Sequence, residues 1–80
     1  MTESTGNVRV LIEQIAKSIV DAPDQVFVEQ FEDDVIELEV AEGDVGKIIG
    51  RQGRTVRALR ALVNAAGVRA RRRYTLEVID

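Results

Sequence analysis

Neither cysteine nor histidine occurs anywhere in the chain. Their absence removes disulfides, thiolate nucleophiles, imidazole bases and the usual zinc constellations, and with them much of enzymology. Aromatic residues are scarce, limited to Phe27, Phe31 and Tyr74. That argues against RRM or OB architectures, which stack bases on exposed rings. No apolar run approaches the ~20 residues needed to span a bilayer. The opening residues MTESTGNV also lack the basic and apolar regions of a signal peptide. A cytoplasmic location with no membrane partner is expected. With 80 residues, there is room for one domain and one modest core, and none for a separate substrate domain.

What is present is unevenly distributed. Residues 1–46 carry 12 acids and two bases, a balance of −10, whereas residues 47–80 carry nine bases and two acids, a balance of +7. The net charge of −3 therefore conceals an acidic part and a basic part. Such segregation produces a field that attracts a polyanion to one side and repels it from the other. The plainer alternative is that neighbouring elements simply differ in charge.

Hydrophobic spacing gives the elements. Val8, Leu11, Ile12, Ile15 and Ile19 fall at i, i+3, i+4, i+7 and i+11, the stripe of one helix, with Asn7 as cap and Pro23 closing it. Residues 1–7 are expected to be a flexible N-terminus and residues 8–80 a single domain. Two β-branched runs, 25–31 and 35–41, flank the acidic turn Glu32-Asp33-Asp34 and read as a hairpin. In the second run Ile36, Leu38 and Val40 alternate with Glu37 and Glu39. The first run alternates less cleanly: Val26 and Val28 want shelter, and so do Phe27 and Phe31. Part of its second face is expected to lie against a partner or the chain ends. Asp44 then suits the N-cap of a one-turn helix, Val45 to Ile49, which Gly50 stops. A longer helix from about Arg54 places Val56, Leu59, Leu62, Val63 and Ala66 on one face and is expected to end at Gly67. Tyr74, Leu76 and Val78 mark a last strand.

The order αββααβ defines an α+β fold. The first two strands pair antiparallel through their short turn, and the third joins in parallel after a two-helix crossover. A three-stranded mixed sheet covered on one face by three helices is predicted.

The most informative stretch is GKIIGRQGRT, in which Gly50-Arg51-Gln52-Gly53 joins the two helices. Glycines let the backbone turn sharply and approach a sugar-phosphate chain. The N–H groups of Gly53, Arg54 and Thr55, expected to be unpaired, open the following helix and point its positive end toward an anion. Lys47, Arg51, Arg54 and Arg57 add mobile positive charge. Ile48 and Ile49 supply apolar surface for bases, Ile48 expected to face the core and Ile49 the groove. A Gly-x-x-Gly by itself is also a common C-cap and turn.

Context strengthens the motif, because a β-branched strand and a short Ile-Ile helix precede it and an arginine-bearing helix and a strand follow. This arrangement resembles a type II KH domain. GKIIGRQGRTVRALRALVNAA followed by a basic stretch and YTLEVID is similar to the small stand-alone bacterial KH proteins of the KhpA family, over residues 8–80. The resemblance implies a non-catalytic binder of single-stranded RNA that clamps about four nucleotides. Lys47, Ile48, Ile49, Gly50, Arg51, Gln52, Gly53, Arg54, Thr55 and Arg57 would form the site. It further implies an RNA chaperone or regulator linked to cell-envelope growth, acting as a homodimer or with a larger KH-domain partner, KhpB (also called Jag), and needing no cofactor or metal. The triplet Arg71-Arg72-Arg73 is denser in arginine than such a family leads one to expect. It either extends a phosphate track or forms a charged edge that discourages strand pairing, and the edge reading is preferred.

Rival readings fail on context. The spacing of Gly46, Gly50 and Gly53 lacks the strand-to-long-helix turn of a dinucleotide site, and Gly43 to Lys47 lacks the length and hydroxyl residue of a Walker loop. A catalytic pair among the carboxylates of Glu37, Glu39, Glu42 and Asp44 is less expected than solvated strand charge, since nothing in the sequence suggests a pocket around them. The serious alternative is a KH-fold assembly module with little RNA affinity of its own. Ala58, Ala61 and Ala65 lie away from the core stripe of the long helix, where small side chains let a second helix approach, although alanine is also a good surface helix former.

Overall fold

Asn7 opens the first helix as expected, its side-chain oxygen accepting the Val10 N–H at 3.3 Å. The computed structural model describes residues 7–79. Of the expected flexible N-terminus, residues 1–6 therefore lie outside the described residues, as does residue 80. Helix α1 spans Val8–Ile19 and buries Val8 and Ile12 of the expected stripe, with Ile15 and Ile19 partly buried against the core; Leu11, also assigned to that stripe, is 39% exposed, and Ala16 is buried instead. Val20 is extended, and Pro23 starts a single 3-10 turn, Pro23–Gln25, where its missing N–H costs nothing.

Strand β1 (Phe27–Gln30) and strand β2 (Val35–Glu39) form the hairpin, antiparallel and in register from Phe27 opposite Glu39 to Gln30 opposite Ile36. The left-handed backbone of Asp34, φ 68°, lets the turn close. After a 3-10 turn at Glu42–Asp44 come helix α2 (Val45–Ile49), helix α3 (Arg54–Ala70) and strand β3 (Thr75–Ile79). β3 pairs parallel with β2, Ile36 opposite Leu76 and Leu38 opposite Val78, giving the order β1-β2-β3. The fold is thus α+β, with three helices and a mixed three-stranded sheet, as in type II KH domains. Ile12, Ile36, Leu38, Ile48, Leu59 and Val63 are the large side chains fully withdrawn from water. Each such burial stabilises the fold by about 1.5–3 kcal/mol.

Three further expectations need correction. α3 does not stop at Gly67. It runs one turn further, and Arg71 takes the left-handed position, with the Arg72 N–H returning to the Gly67 carbonyl at 2.8 Å. Gly67 serves packing instead, since a Cβ there would lie 2.5 Å from the Arg72 carbonyl oxygen. Leu62, assigned to the core face, is 40% exposed, because the stripe through Val56, Leu59 and Val63 already fills the space under the helix. Asp44 occupies the N-cap position of α2 but makes no side-chain capping bond.

The Asp44 carboxylate turns away from its own helix and into the chain leaving α1. It is 3% exposed, and its two oxygens accept the N–H groups of Asp21 and Ala22, each at 3.1 Å. These N–H groups lie just beyond α1, where Pro23 blocks any helical continuation. Asp44→Ala leaves both part-buried donors without their acceptor and is expected to destabilise the protein by about 1–3 kcal/mol. Asp44→Asn, which keeps one acceptor, should cost less. Urea unfolding measures both, and a wild-type midpoint for the alanine variant would contradict this role.

Candidate nucleic-acid interface

The Gly-x-x-Gly segment owes its shape to two anchors and a left-handed pair. Ile48 is completely buried and fixes α2 to the core, while Ile49, next along the chain, is 37% exposed at the end of that helix. Gly50 ends α2 with φ 78° and ψ 168°. No other residue fits there. A Cβ would meet the Thr55 side chain at 2.3 Å, on a backbone that L side chains rarely adopt. Gln52 and Gly53 follow at φ 58° and 74°, so the chain reverses within the tight turn Arg51–Gly53 and enters α3.

The loop uses more of its own hydrogen-bonding capacity than expected. The Gly53 N–H donates to the Gly50 carbonyl at 3.0 Å, and the Arg54 N–H donates to the carbonyl of Arg51. Two of the three donors expected to be free are therefore occupied. What the loop leaves open to a ligand is chiefly the positive end of the α3 dipole and the side chains around it. Arg51, Gln52, Arg54 and Arg57 are all exposed, and Thr55 is half-buried beneath Gly50. Arg54 donates to the Gln52 side-chain oxygen at 3.1 Å, which spreads its guanidinium along the loop.

Lys47 stands on the exposed side of α2, its ammonium 3.3 Å from the Asp21 carboxylate. Sequence spacing gave no hint of this pair, because it depends on Asp44 holding residues 21 and 22 beside α2. Exposed pairs of this kind contribute about 0.2–1 kcal/mol, little enough for Lys47 to exchange its partner for a phosphate. All ten sequence-derived site residues therefore lie on one continuous segment, α2, the loop and the first turn of α3. Ile48 is the one among them withdrawn from any ligand.

The second basic cluster behaves differently. Arg72 is engaged with Asp34, 2.9 Å through Nε and 2.7 Å through Nη2. That partner holds the guanidinium above its ordinary ionisation range. The Thr75 N–H donates to the Asp34 carbonyl at 3.0 Å, so the hairpin turn is clamped to the start of β3. Arg71 and Arg73 are exposed on either side. On α3, Ala58, Ala61 and Ala65 are exposed as expected, and they are joined by Leu62, which the spacing assigns to the core face, and by Val68, which is 77% exposed. Their offsets, 58, 61, 62, 65 and 68, repeat at helical spacing, so this is a second apolar stripe facing away from the core.

Comparison with known proteins gives the family. The family described as KhpA/KhpB, KH domain, matches residues 9–78. The chain belongs to the KhpA family. It is 47% identical over 75 residues to the RNA-binding protein KhpA of Halalkalibacterium halodurans, covering 90% of this chain and 99% of that one. It is 46% identical over 78 residues to the RNA-binding protein KhpA of Borreliella burgdorferi, covering 94% and 95%. The KhpA of Aquifex aeolicus is 41% identical over 73 residues. No solved structure matches the chain. The family is one of non-catalytic RNA-binding proteins.

Proposed function

We propose that this KhpA-family chain binds single-stranded RNA at Gly50-Arg51-Gln52-Gly53, with the phosphates of about four nucleotides laid over the loop and the bases against the surface around Ile49. One observation carries the reading. The loop backbone is held in a left-handed reversal that only Gly50 can begin, with the exposed cations Lys47, Arg51, Arg54 and Arg57 nearby in the chain. Relatives named for RNA binding support it. In this reading the chain catalyses nothing and acts in the cytoplasm as an RNA chaperone or regulator connected with envelope growth. No helix among the described residues is long and apolar enough to cross a membrane.

Replacing Arg51 and Gln52 together by Asp tests the site. Both side chains are exposed, so the fold should survive, while repulsion at the phosphates should weaken RNA binding by about tenfold or more. Unchanged affinity for a labelled single-stranded RNA would remove the loop from the site.

Assembly is a second reading, favoured by the exposed stripe of α3. We propose that Ala58, Ala61 and Ala65, with Leu62 and Val68, form the contact with a second copy or with the KH domain of a larger KhpB-like partner. Small side chains allow close helix approach, and the two large ones supply apolar area. Ala61→Arg should shift sedimentation toward the monomer without loss of helical signal. A wild type already monomeric at high concentration, or an unchanged dimer in the variant, would exclude this surface.

A further inference from the structure

Among the described residues, no element covers the face of the sheet turned away from the helices. Along the strands, Val28, Ile36, Leu38, Leu76 and Val78 point into the core or pack against it, so the alternate residues face solvent. The register arranges them in rows. Glu29 lies opposite Glu37, and Glu37 opposite Glu77, so three carboxylates cross all three strands side by side. One row further, Glu39 lies between Phe27 and Ile79. On the other side of the glutamates, Val35 lies beside Thr75, with the Phe31 N–H bonded to the Val35 carbonyl.

This face combines features rarely left to solvent. Phe27 is 60% exposed, and Phe31 and Ile79 are also open. No strand residue is basic, and among the described residues none of the four glutamates takes part in an ion pair, the pairs present using Glu13, Asp21 and Asp34. Like charges directly opposite one another weaken a sheet. Nor is the row a cation site, since no acidic cluster among the described residues is disposed to hold a metal ion.

We infer that the open sheet face is a docking surface for a cationic protein segment, in which arginine or lysine side chains meet the Glu29-Glu37-Glu77 row and apolar side chains cover Phe27 and Ile79. Charge complementarity selects this occupant. RNA is repelled by the carboxylates, and a second copy presenting the same face would set acid against acid. The surface is independent of the RNA loop, lies on different elements from the α3 stripe, and gives shelter to the aromatic face of β1 that none of the described residues covers.

The test titrates the whole chain with a short end-blocked peptide of alternating arginine and valine, followed by backbone amide shifts. Shifts should concentrate on β1, β2 and β3 and leave residues 50–53 unmoved. Glu37→Lys places a cation between two carboxylates, so it should raise the melting temperature while weakening peptide binding about tenfold. Replacing valine by glycine in the peptide should weaken binding as well. The variant with Arg51 and Gln52 changed to Asp should bind the peptide like wild type even where it has lost RNA, so the two sites fail separately. Wild-type peptide affinity in Glu37→Lys, shifts centred on Glu13 or Glu42, or equal binding of the glycine peptide would overturn the proposal by reducing the face to a diffuse anionic field.

Discussion

The buried carboxylate of Asp44 is the constraint on which the rest of the site depends. α2 has five residues, too few to be stable as an isolated helix, yet it must hold a strained reversal at Gly50. It is fixed from both ends. Asp44 ties its start to the backbone of Asp21 and Ala22, and Ile48 sinks its other end into the core. With those points set, the exposure of Ile49, the left-handed turn through Gln52 and Gly53, and the placement of Lys47 beside Asp21 follow from chain geometry. The chemistry of the loop is thus borrowed from a hydrogen bond more than twenty residues away in sequence.

The same fold separates the charges. The strands contribute acids and no bases to the open sheet face, while nine of the eleven basic residues gather on α2, the loop, α3 and the turn after it. A polyanion approaching this molecule therefore meets attraction and repulsion on different elements, which orients it before any contact forms. The acidic net charge, misleading as a sum, is the total of two fields of opposite sign. Arg72 marks the border. It is spent on Asp34 in joining the hairpin to β3, so only part of the arginine triplet is available to a ligand.

Much of this was legible in the sequence because the signals were local. The period of Val8, Ile12, Ile15 and Ile19, the alternation of Ile36 and Leu38, and the glycines flanking Arg51 and Gln52 act over a few residues and give the elements, their order and the loop. The expected burial of Ile48 is also met, and Ile49 is partly exposed. What escaped was set by tertiary distance. Asp44 reads as a cap until α1 is placed beside it, and Gly67 reads as a stop until Arg72 folds back over it. Leu62 reads as core because spacing alone cannot say how wide a stripe the sheet beneath α3 has room to bury. The loop donors looked free because a reversal so tight that it satisfies two of its own N–H groups is a matter of dihedral angles, which sequence does not display.

The central claim, a local clamp on single-stranded RNA, is tested most directly by the salt dependence of binding. Each phosphate neutralised on a single strand contributes about −0.7 to the slope of log affinity against log salt, so about three contacts at the loop predict a slope of roughly −2. Fluorescence anisotropy with a short single-stranded RNA across a salt series measures it. The account predicts that shallow slope together with clear preference among RNA sequences, since base contacts discriminate and phosphate contacts only position. A slope of about −4 or steeper with no preference would mean that Arg57, Arg60 and the exposed arginines after α3 act as one general polyanion surface, and would contradict the assignment of the loop as the principal site.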